Sequence, residues 1–123
     1  MVRAAGWSAT CVVPVPLGRK RQRQRGYNQV GLIAQSLGKH LDMPVLSSAL
    51  TRLRETPSQV GLTPAERRRN VAGAFSGEPS LIRERTPLLL DDVFTTGATL
   101  AACAGALREA GASQVFGLTV ARA

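Results

Sequence analysis

Residues 88–100 read LLLDDVFTTGATL, and no other stretch says as much about the fold of this chain. An apolar run leads into two adjacent aspartates, a Thr-Thr-Gly turn and an Ala-rich helical segment. An apolar run bounded by turn residues is typical of a fully buried strand in a parallel sheet. The following helix would aim its N–H groups and partial positive charge at the carboxyl end of that strand, where open α/β sheets bind ligands.

The side chains around this turn suit a phosphorylated sugar. The predicted 5-phosphate cradle comprises Thr95, Thr96, Gly97, Ala98 and Thr99. Its hydroxyls can donate hydrogen bonds, and its glycine lets the backbone approach a ligand closely. The carboxylates of Asp91 and Asp92 only accept hydrogen bonds, so they favour ribose hydroxyls or a hydrated cation. The alternative, a buried strand that ends in two incidental aspartates, is disfavoured because buried carboxylates without a partner are costly.

Two common nucleotide motifs are absent from the sequence. It contains neither the Gly-x-x-x-x-Gly-Lys-Ser/Thr of a P-loop nor the Gly-x-Gly-x-x-Gly of a dinucleotide fold. The stretch 88–100 instead resembles the phosphoribosyl pyrophosphate motif of type I phosphoribosyltransferases. Residues 13–29 and 52–75 are similar to the ComF (competence protein F, GntX-like) branch, and the resemblance extends over residues 12–122.

The resemblance implies an α/β fold, with a parallel sheet flanked by helices. It also implies binding of phosphoribosyl pyrophosphate with Mg²⁺ and displacement of pyrophosphate by a nitrogen nucleophile. Asp91 and Asp92 would hold the ribose, while no residue stands out as a general base or a direct metal ligand. ComF proteins usually begin with a zinc ribbon and a helical segment, so we expect a single, N-terminally shortened domain over residues 1–123.

A basic segment follows the first predicted strand and contains Arg19, Lys20, Arg21, Arg23 and Arg25. The resemblance implies that it holds the pyrophosphate, to which guanidinium groups bind bidentately. A solvated loop and a nucleic-acid patch, with Tyr27 as a stacking surface, are the alternatives. Mutual repulsion among the five cations favours a polyanion, but its identity stays open.

The long polar segment between Arg52 and Asn70 resembles the lid that closes over the substrate in type I enzymes. Such closure would exclude water from the reaction. Its polar candidates are Thr56, Gln59, Arg67 and Asn70. Turn and capping contacts are an equally good interpretation of each of these residues taken singly.

The net charge of +8 is uneven, because residues 1–70 carry 12 of the 16 Lys and Arg but only 3 of the 8 Asp and Glu. This asymmetry again favours a polyanionic ligand. Cys11 and Cys103 are too few for a zinc site or a disulfide framework. The absence of a membrane-spanning run or an apolar signal core predicts a cytoplasmic protein that does not enter membranes.

The pattern of apolar and turn residues predicts alternating strands and helices. Strands are expected at 11–16, 45–50, 86–91 and a buried 114–120, with helices at 28–41 and 100–110 and a short helix from Pro64.

Three functions stay open on the sequence. The first is a phosphoribosyltransferase of nucleotide metabolism with an unidentified acceptor. The second is a non-catalytic competence accessory in natural transformation, which would bind single-stranded DNA or a helicase partner. The third is a regulator that binds the ligand without turnover, and a homodimer is open in each case.

Overall fold

The computed structural model describes residues 8–16, 29–54, 61–94 and 97–122. The elements in this part of the chain are β1 (Cys11–Pro14), α1 (Gln29–Leu41), β2 (Leu50–Arg52), α2 (Pro64–Val71), β3 (Phe75–Gly77), α3 (Pro79–Ile82), β4 (Pro87–Phe94), α4 (Ala98–Glu109) and β5 (Phe116–Arg122). Three strands form a parallel sheet in the order β1-β4-β5, while β2 and β3 pair antiparallel in a separate ribbon. The predicted α/β class, with a parallel sheet flanked by helices, is confirmed.

The central strand β4 is buried on both faces, which explains its unbroken apolar run. Leu88 and Leu90 pack in one cluster with Val30 and Ala34 of α1. Leu89 points to the opposite face and belongs to the cluster that contains residues of α4 and of the β2–β3 ribbon. All three leucines are almost fully buried, as expected of a strand covered by helices on both sides.

Several predicted elements are confirmed with small shifts of their ends. The helix expected at 28–41 is α1. The strand expected at 86–91 is β4, but it continues to Phe94, so Asp91 and Asp92 lie within the strand and not at its end as predicted. The short helix expected from Pro64 is α2, where Thr63 and Glu66 form a capping box. The helix expected at 100–110 is α4, which already begins at Ala98 because Gly97 provides its N-cap.

The strand expected at residues 45–50 is wrong. Val45 makes only an isolated bridge to Val12, through Val12 N–H to Pro44 O at 2.9 Å and Leu46 N–H to Val12 O at 2.8 Å. The chain then turns, with the Ala49 N–H donating to Leu46 O at 3.1 Å. The strand begins only at Leu50 and pairs with β3 rather than with the parallel sheet.

The C-terminal strand is less buried than the sequence predicts. It is displaced to Phe116–Arg122 and pairs with β4 alone among the described strands. Gly117 is exposed, and Phe116 and Leu118 are only partly buried. Its apolar residues therefore cover an edge of the described sheet instead of filling its centre.

The β2–β3 ribbon packs closely on α4, and a glycine permits the approach. A Cβ atom at Gly77 would lie 2.7 Å from Ala106 O and 2.8 Å from Ala110 Cβ. Real Cβ atoms do not approach their neighbours so closely, so any side chain at this position would push the ribbon away from the helix. No helix in the described part of the chain is long and apolar enough to cross a membrane.

We predict that Gly77→Ala lowers the free energy of unfolding by about 1–3 kcal/mol, the usual effect of overpacking. Gly105→Ala is the matched control, because Gly105 lies in α4 and a methyl group there would meet nothing within 4 Å. Alanine favours a helix interior, so the control should raise stability by up to about 1 kcal/mol. Urea unfolding measures both. Equal stability of the two variants would contradict the close packing of ribbon on helix.

Candidate ligand site

The C-terminal half of β4 carries a buried charge. Asp91 is 8 % exposed and is the one charged side chain that is buried among the described residues. Successive side chains of a strand alternate between faces, so Asp91 shares the face of Leu89. That face is the one covered by α4 and the β2–β3 ribbon. Asp92 is also part of β4, but its side chain lies outside the part of the structure that is described. Its predicted role in ribose binding therefore stays a prediction.

A helix start follows β4 closely in the chain, because β4 ends at Phe94 and α4 begins at Ala98. Gly97 has φ 78° and ψ 5°, a left-handed conformation that favours glycine. It is the N-cap of α4 and provides no side-chain cap, while its carbonyl accepts from Ala101 N–H at 2.8 Å. Of the predicted cradle, the structure thus brings Gly97, Ala98 and Thr99 next to the end of β4. Thr95 and Thr96 lie outside the described residues.

The pKa of the buried Cys103 thiol is affected by the charge of Asp91. Burial raises the pKa of Cys103 far above its ordinary value, and the Asp91 carboxylate raises this pKa further. The Arg52 guanidinium acts in the opposite direction and lowers the same pKa. The two charges therefore act in opposite directions on the pKa of the same buried thiol. The thiol stays protonated, which is unsuited to a nucleophile.

Arg52 is a site residue that the sequence analysis did not identify. Its Nε donates to Pro16 O at 3.2 Å, and its guanidinium carbon lies 4.8 Å from the centre of the Phe75 ring. Arg52 follows Leu50 by two positions in β2, so both side chains share one face of the strand. Because Leu50 is buried, this spacing was the available signal that Arg52 also points inward.

The structure places the other predicted residues as follows. The whole basic segment (Arg19, Lys20, Arg21, Arg23 and Arg25) and the lid candidates Thr56 and Gln59 lie outside the described residues. The Arg67 Nε donates to Leu62 O at 3.1 Å, beside the start of its own helix. The Asn70 carbonyl accepts from Arg54 Nη2 at 2.9 Å. The Arg67 contact fits the capping interpretation, whereas the Asn70 contact involves only its main chain, and the predicted role of both residues in closure stays a prediction.

A metal held by the protein alone would need several ligands in one place. In residues 8–16, 29–54, 61–94 and 97–122, no group of three His, Cys, Asp or Glu side chains could hold a metal ion. Asp91 is the buried carboxylate at the candidate site, which fits a cation held largely by water and by phosphate oxygens of a ligand.

Solved structures with the same architecture define the class of this fold. The chain superposes on a glutamine phosphoribosylpyrophosphate amidotransferase of Bacillus subtilis, complexed with ADP and GMP, with a TM-score of 0.65 and 19 % identity. This match covers 96 % of the chain and 24 % of the amidotransferase. An allosteric regulatory enzyme of purine biosynthesis gives a TM-score of 0.61 at 20 % identity, covering 94 % of the chain and 23 % of the enzyme. The fold is that of the type I phosphoribosyltransferases.

Curated relatives narrow the class. The chain is 42 % identical over 111 residues to competence protein F of Haemophilus influenzae, which covers 87 % of the chain and 48 % of the relative. It is 39 % identical over 104 residues to the DNA utilization protein YhgH of Escherichia coli strain K12, covering 85 % and 45 %. Competence protein ComFC of Bacillus subtilis is 29 % identical over 115 residues, covering 90 % and 44 %. No family model matches the chain.

The chain spans about half the length of the curated relatives that it matches. Over this length the relatives support a ComF-like protein.

We predict that the buried thiols make the protein less stable at high pH. The pKa of Cys103 is raised in the folded state, and so is that of Cys11 because of burial. Above the pKa of the unfolded thiol the unfolded chain loses a proton that the folded chain retains, so the unfolding free energy falls as pH rises. Each thiol contributes up to about 1.4 kcal/mol per pH unit.

Urea unfolding between pH 7 and pH 10 tests this expectation. In Cys103→Ala, the free energy of unfolding should fall less steeply above about pH 9, near the ordinary pKa of a thiol. Below pH 8 its pH dependence should match that of the wild type. An unchanged slope in the variant would show that Cys103 ionises in the folded protein.

Proposed function

We propose that the chain binds phosphoribosyl pyrophosphate together with Mg²⁺ and transfers the phosphoribosyl group to a nitrogen acceptor. One observation carries this proposal: the central strand holds a buried carboxylate in its C-terminal half and is followed by a helix start that glycine caps. The fold supports it, because ligands of open α/β sheets bind at the carboxyl ends of the strands.

The helix start suits the 5-phosphate end of such a ligand. The partial positive charge of α4 and its first N–H groups favour an anion, and Gly97 adds no side chain that would compete for them. The hydroxyl of Thr99 belongs to the first turn of the same helix. Thr95 and Thr96 would complete the cradle as predicted from the sequence.

The carboxylate end suits the ribose. Asp91 offers two acceptor oxygens to vicinal hydroxyls, and Asp92 would offer a second pair. When bound, Mg²⁺ would neutralise charge on the pyrophosphate, and Asp91 could accept from its water shell. The basic segment at residues 19–25 would contact the same pyrophosphate, as the resemblance implies.

The reaction needs little covalent chemistry from the protein. The bond between ribose C1 and the pyrophosphate oxygen breaks, a bond from C1 to the acceptor nitrogen forms, and the nitrogen loses its proton. The electron pair leaves with the pyrophosphate. Holding the reactants in line and stabilising developing charge can supply most of the acceleration. This agrees with the neutral state of the Cys103 thiol beside the site.

We predict that the double variant Asp91→Asn, Asp92→Asn loses affinity for Mg²⁺-phosphoribosyl pyrophosphate by about 100-fold or more, since hydrogen bonds to charged groups contribute about 1.5–3 kcal/mol each. Affinity for inorganic phosphate should change by less than about threefold, because the carboxylates are assigned to the ribose rather than to the phosphate. Titration calorimetry measures both ligands.

The matched control is Asp42→Asn with Glu109→Gln, which removes two negative charges from exposed positions. It should bind both ligands like the wild type. Equal losses for the two ligands in the Asp91 and Asp92 variant would contradict the division of roles between carboxylates and cradle.

A competence accessory that binds single-stranded DNA is the second candidate. Relatives of the chain carry the names competence protein and DNA utilization protein. Arg68 and Arg69 on α2 are exposed, whereas the neighbouring Arg67 is partly buried. Exposed arginines on a regular helix can contact successive phosphates of a nucleic-acid backbone. They would add to the polyanion binding proposed for the basic segment.

The five cations at residues 19–25 distinguish the two candidates. We predict that replacing Arg19, Lys20, Arg21, Arg23 and Arg25 by Gln abolishes binding of Mg²⁺-phosphoribosyl pyrophosphate, while Lys39→Gln with Arg108→Gln leaves it unchanged. Calorimetry measures the ligand, and fluorescence anisotropy measures single-stranded DNA at two or more salt concentrations. The wild type should bind DNA weakly.

The accessory function predicts a different set of results. DNA affinity would be high and would fall with salt by a log–log slope of about 0.7 per phosphate contacted. The five-residue variant would flatten this slope and keep its affinity for ribose 5-phosphate. Tight DNA binding that survives saturating phosphoribosyl pyrophosphate would overturn the transferase proposal.

A further inference from the structure

Arg52 is held in place from two sides. Its Nε donates to the Pro16 carbonyl at 3.2 Å, and its guanidinium carbon lies 4.8 Å from the centre of the Phe75 ring. Phe75 is its direct partner in the β2–β3 register. A planar guanidinium stacked on an aromatic face and tied at Nε loses most of its rotational freedom. This arginine is therefore a fixed charge rather than a mobile surface group.

The β2–β3 ribbon and β4 place Arg52 and Asp91 on the same side of α4. Arg52 shares a face of the ribbon with Leu50, Phe75 and Gly77, and that face packs on α4. Asp91 projects from β4 toward the same helix, on the face of Leu89. The ribbon and the sheet thus present an arginine and an aspartate to the same side of α4.

The pKa of the Cys103 thiol is affected by both of these charges. Cys103 belongs to α4, has no exposed surface, and is influenced by both the Asp91 carboxylate and the Arg52 guanidinium. Charges interact strongly in such an interior because water does not screen them. A buried carboxylate is tolerated when a cation compensates it and hydrogen bonds fix its geometry.

We propose that Arg52 is the positioning residue of the Asp91 carboxylate in the ribose 5-phosphate site, an inference that rests on the proposed function. Arg52 acts through Asp91: it keeps the carboxylate charged and fixed where the ribose hydroxyls arrive. Pro16 and Phe75 in turn fix Arg52. The β2–β3 ribbon is then part of the ligand site, although it belongs to a different sheet.

A second arginine of the same segment provides the matched control. Arg54 lies two residues beyond Arg52 and is exposed. Its Nη2 donates to Asn70 O at 2.9 Å and to Ala72 O at 2.8 Å, at the end of α2. Both arginines donate to backbone carbonyls from the end of the ribbon. Of the two, Arg52 is the one that lowers the pKa of Cys103. Arg54→Gln therefore removes an equal charge and comparable backbone contacts.

The binding experiment uses titration calorimetry with Mg²⁺-phosphoribosyl pyrophosphate and with inorganic phosphate. Arg52→Gln should weaken the first ligand by about 10- to 100-fold, the effect expected of a misplaced contact group, and leave phosphate within about threefold. Arg52→Lys, which keeps the charge, should recover part of the loss. Arg54→Gln should bind both ligands like the wild type. Equal losses in Arg52→Gln and Arg54→Gln, or no recovery in Arg52→Lys, would overturn the positioning role.

A double-mutant cycle with Arg52→Gln and Asp91→Asn decides whether the two residues act as a unit. If Arg52 acts through Asp91, the double variant should bind Mg²⁺-phosphoribosyl pyrophosphate about as well as Asp91→Asn alone, and unfolding constants from urea titration should show a coupling of about tenfold. Additive effects in either measurement would overturn the inference. A wild-type chain that binds no phosphoribosyl pyrophosphate would overturn the proposed function and the positioning role together. The unfolding cycle would then show separately whether Arg52 and Asp91 form a pair.

Discussion

Asp91 lies in the C-terminal half of β4, directly after an apolar run that is buried on both faces, so its carboxylate lies where a charge is strongly unfavourable unless the protein compensates it. Much of the surrounding structure follows from this constraint. The helix α4 covers the face of Asp91 and brings its own positive end close to the end of β4. The β2–β3 ribbon covers the same helix and carries a partly buried arginine. Strand, helix and ribbon therefore meet around one charge, and the candidate ligand site includes their junction.

The packing of the ribbon and the electrostatics of the site depend on each other. Gly77 allows β3 to approach the backbone of α4 closely, at Ala106 and Ala110. That approach determines how near Arg52, on the paired strand β2, comes to the interior. A larger residue at Gly77 would move the ribbon and with it the guanidinium. Glycine weakens a strand, but here it provides the short distance that a compensating charge requires.

The sequence predicted what depends on local pattern. The apolar run of β4 and Pro64 at the start of α2 each act through their own backbone or their immediate neighbours, and the structure confirms these elements. The strand at residues 45–50 was wrong because apolar residues at Val45 and Leu50 serve two different partners, β1 and β3. The ribbon itself was missed, since its two strands are short and far apart in sequence. Arg52 was missed for the same reason: its importance comes from tertiary neighbours that a local pattern does not contain. The cradle and carboxylates were identified through their order along the chain, and their ligand roles stay predictions.

The two candidate functions make use of different surfaces of the same chain. Asp91, Gly97 and Arg52 lie where the sheet, α4 and the ribbon meet, and this geometry suits a small phosphorylated sugar. Arg68 and Arg69 are exposed on α2, whose own packing partner is α4. An extended polyanion could follow that helix without entering the junction. Because catalysis by positioning requires the same residues as binding, an accessory that had lost turnover would still retain the carboxylate and the helix start. What distinguishes the two candidates is therefore the polyanion that the basic segment binds, and not the presence of the carboxylate and the helix start.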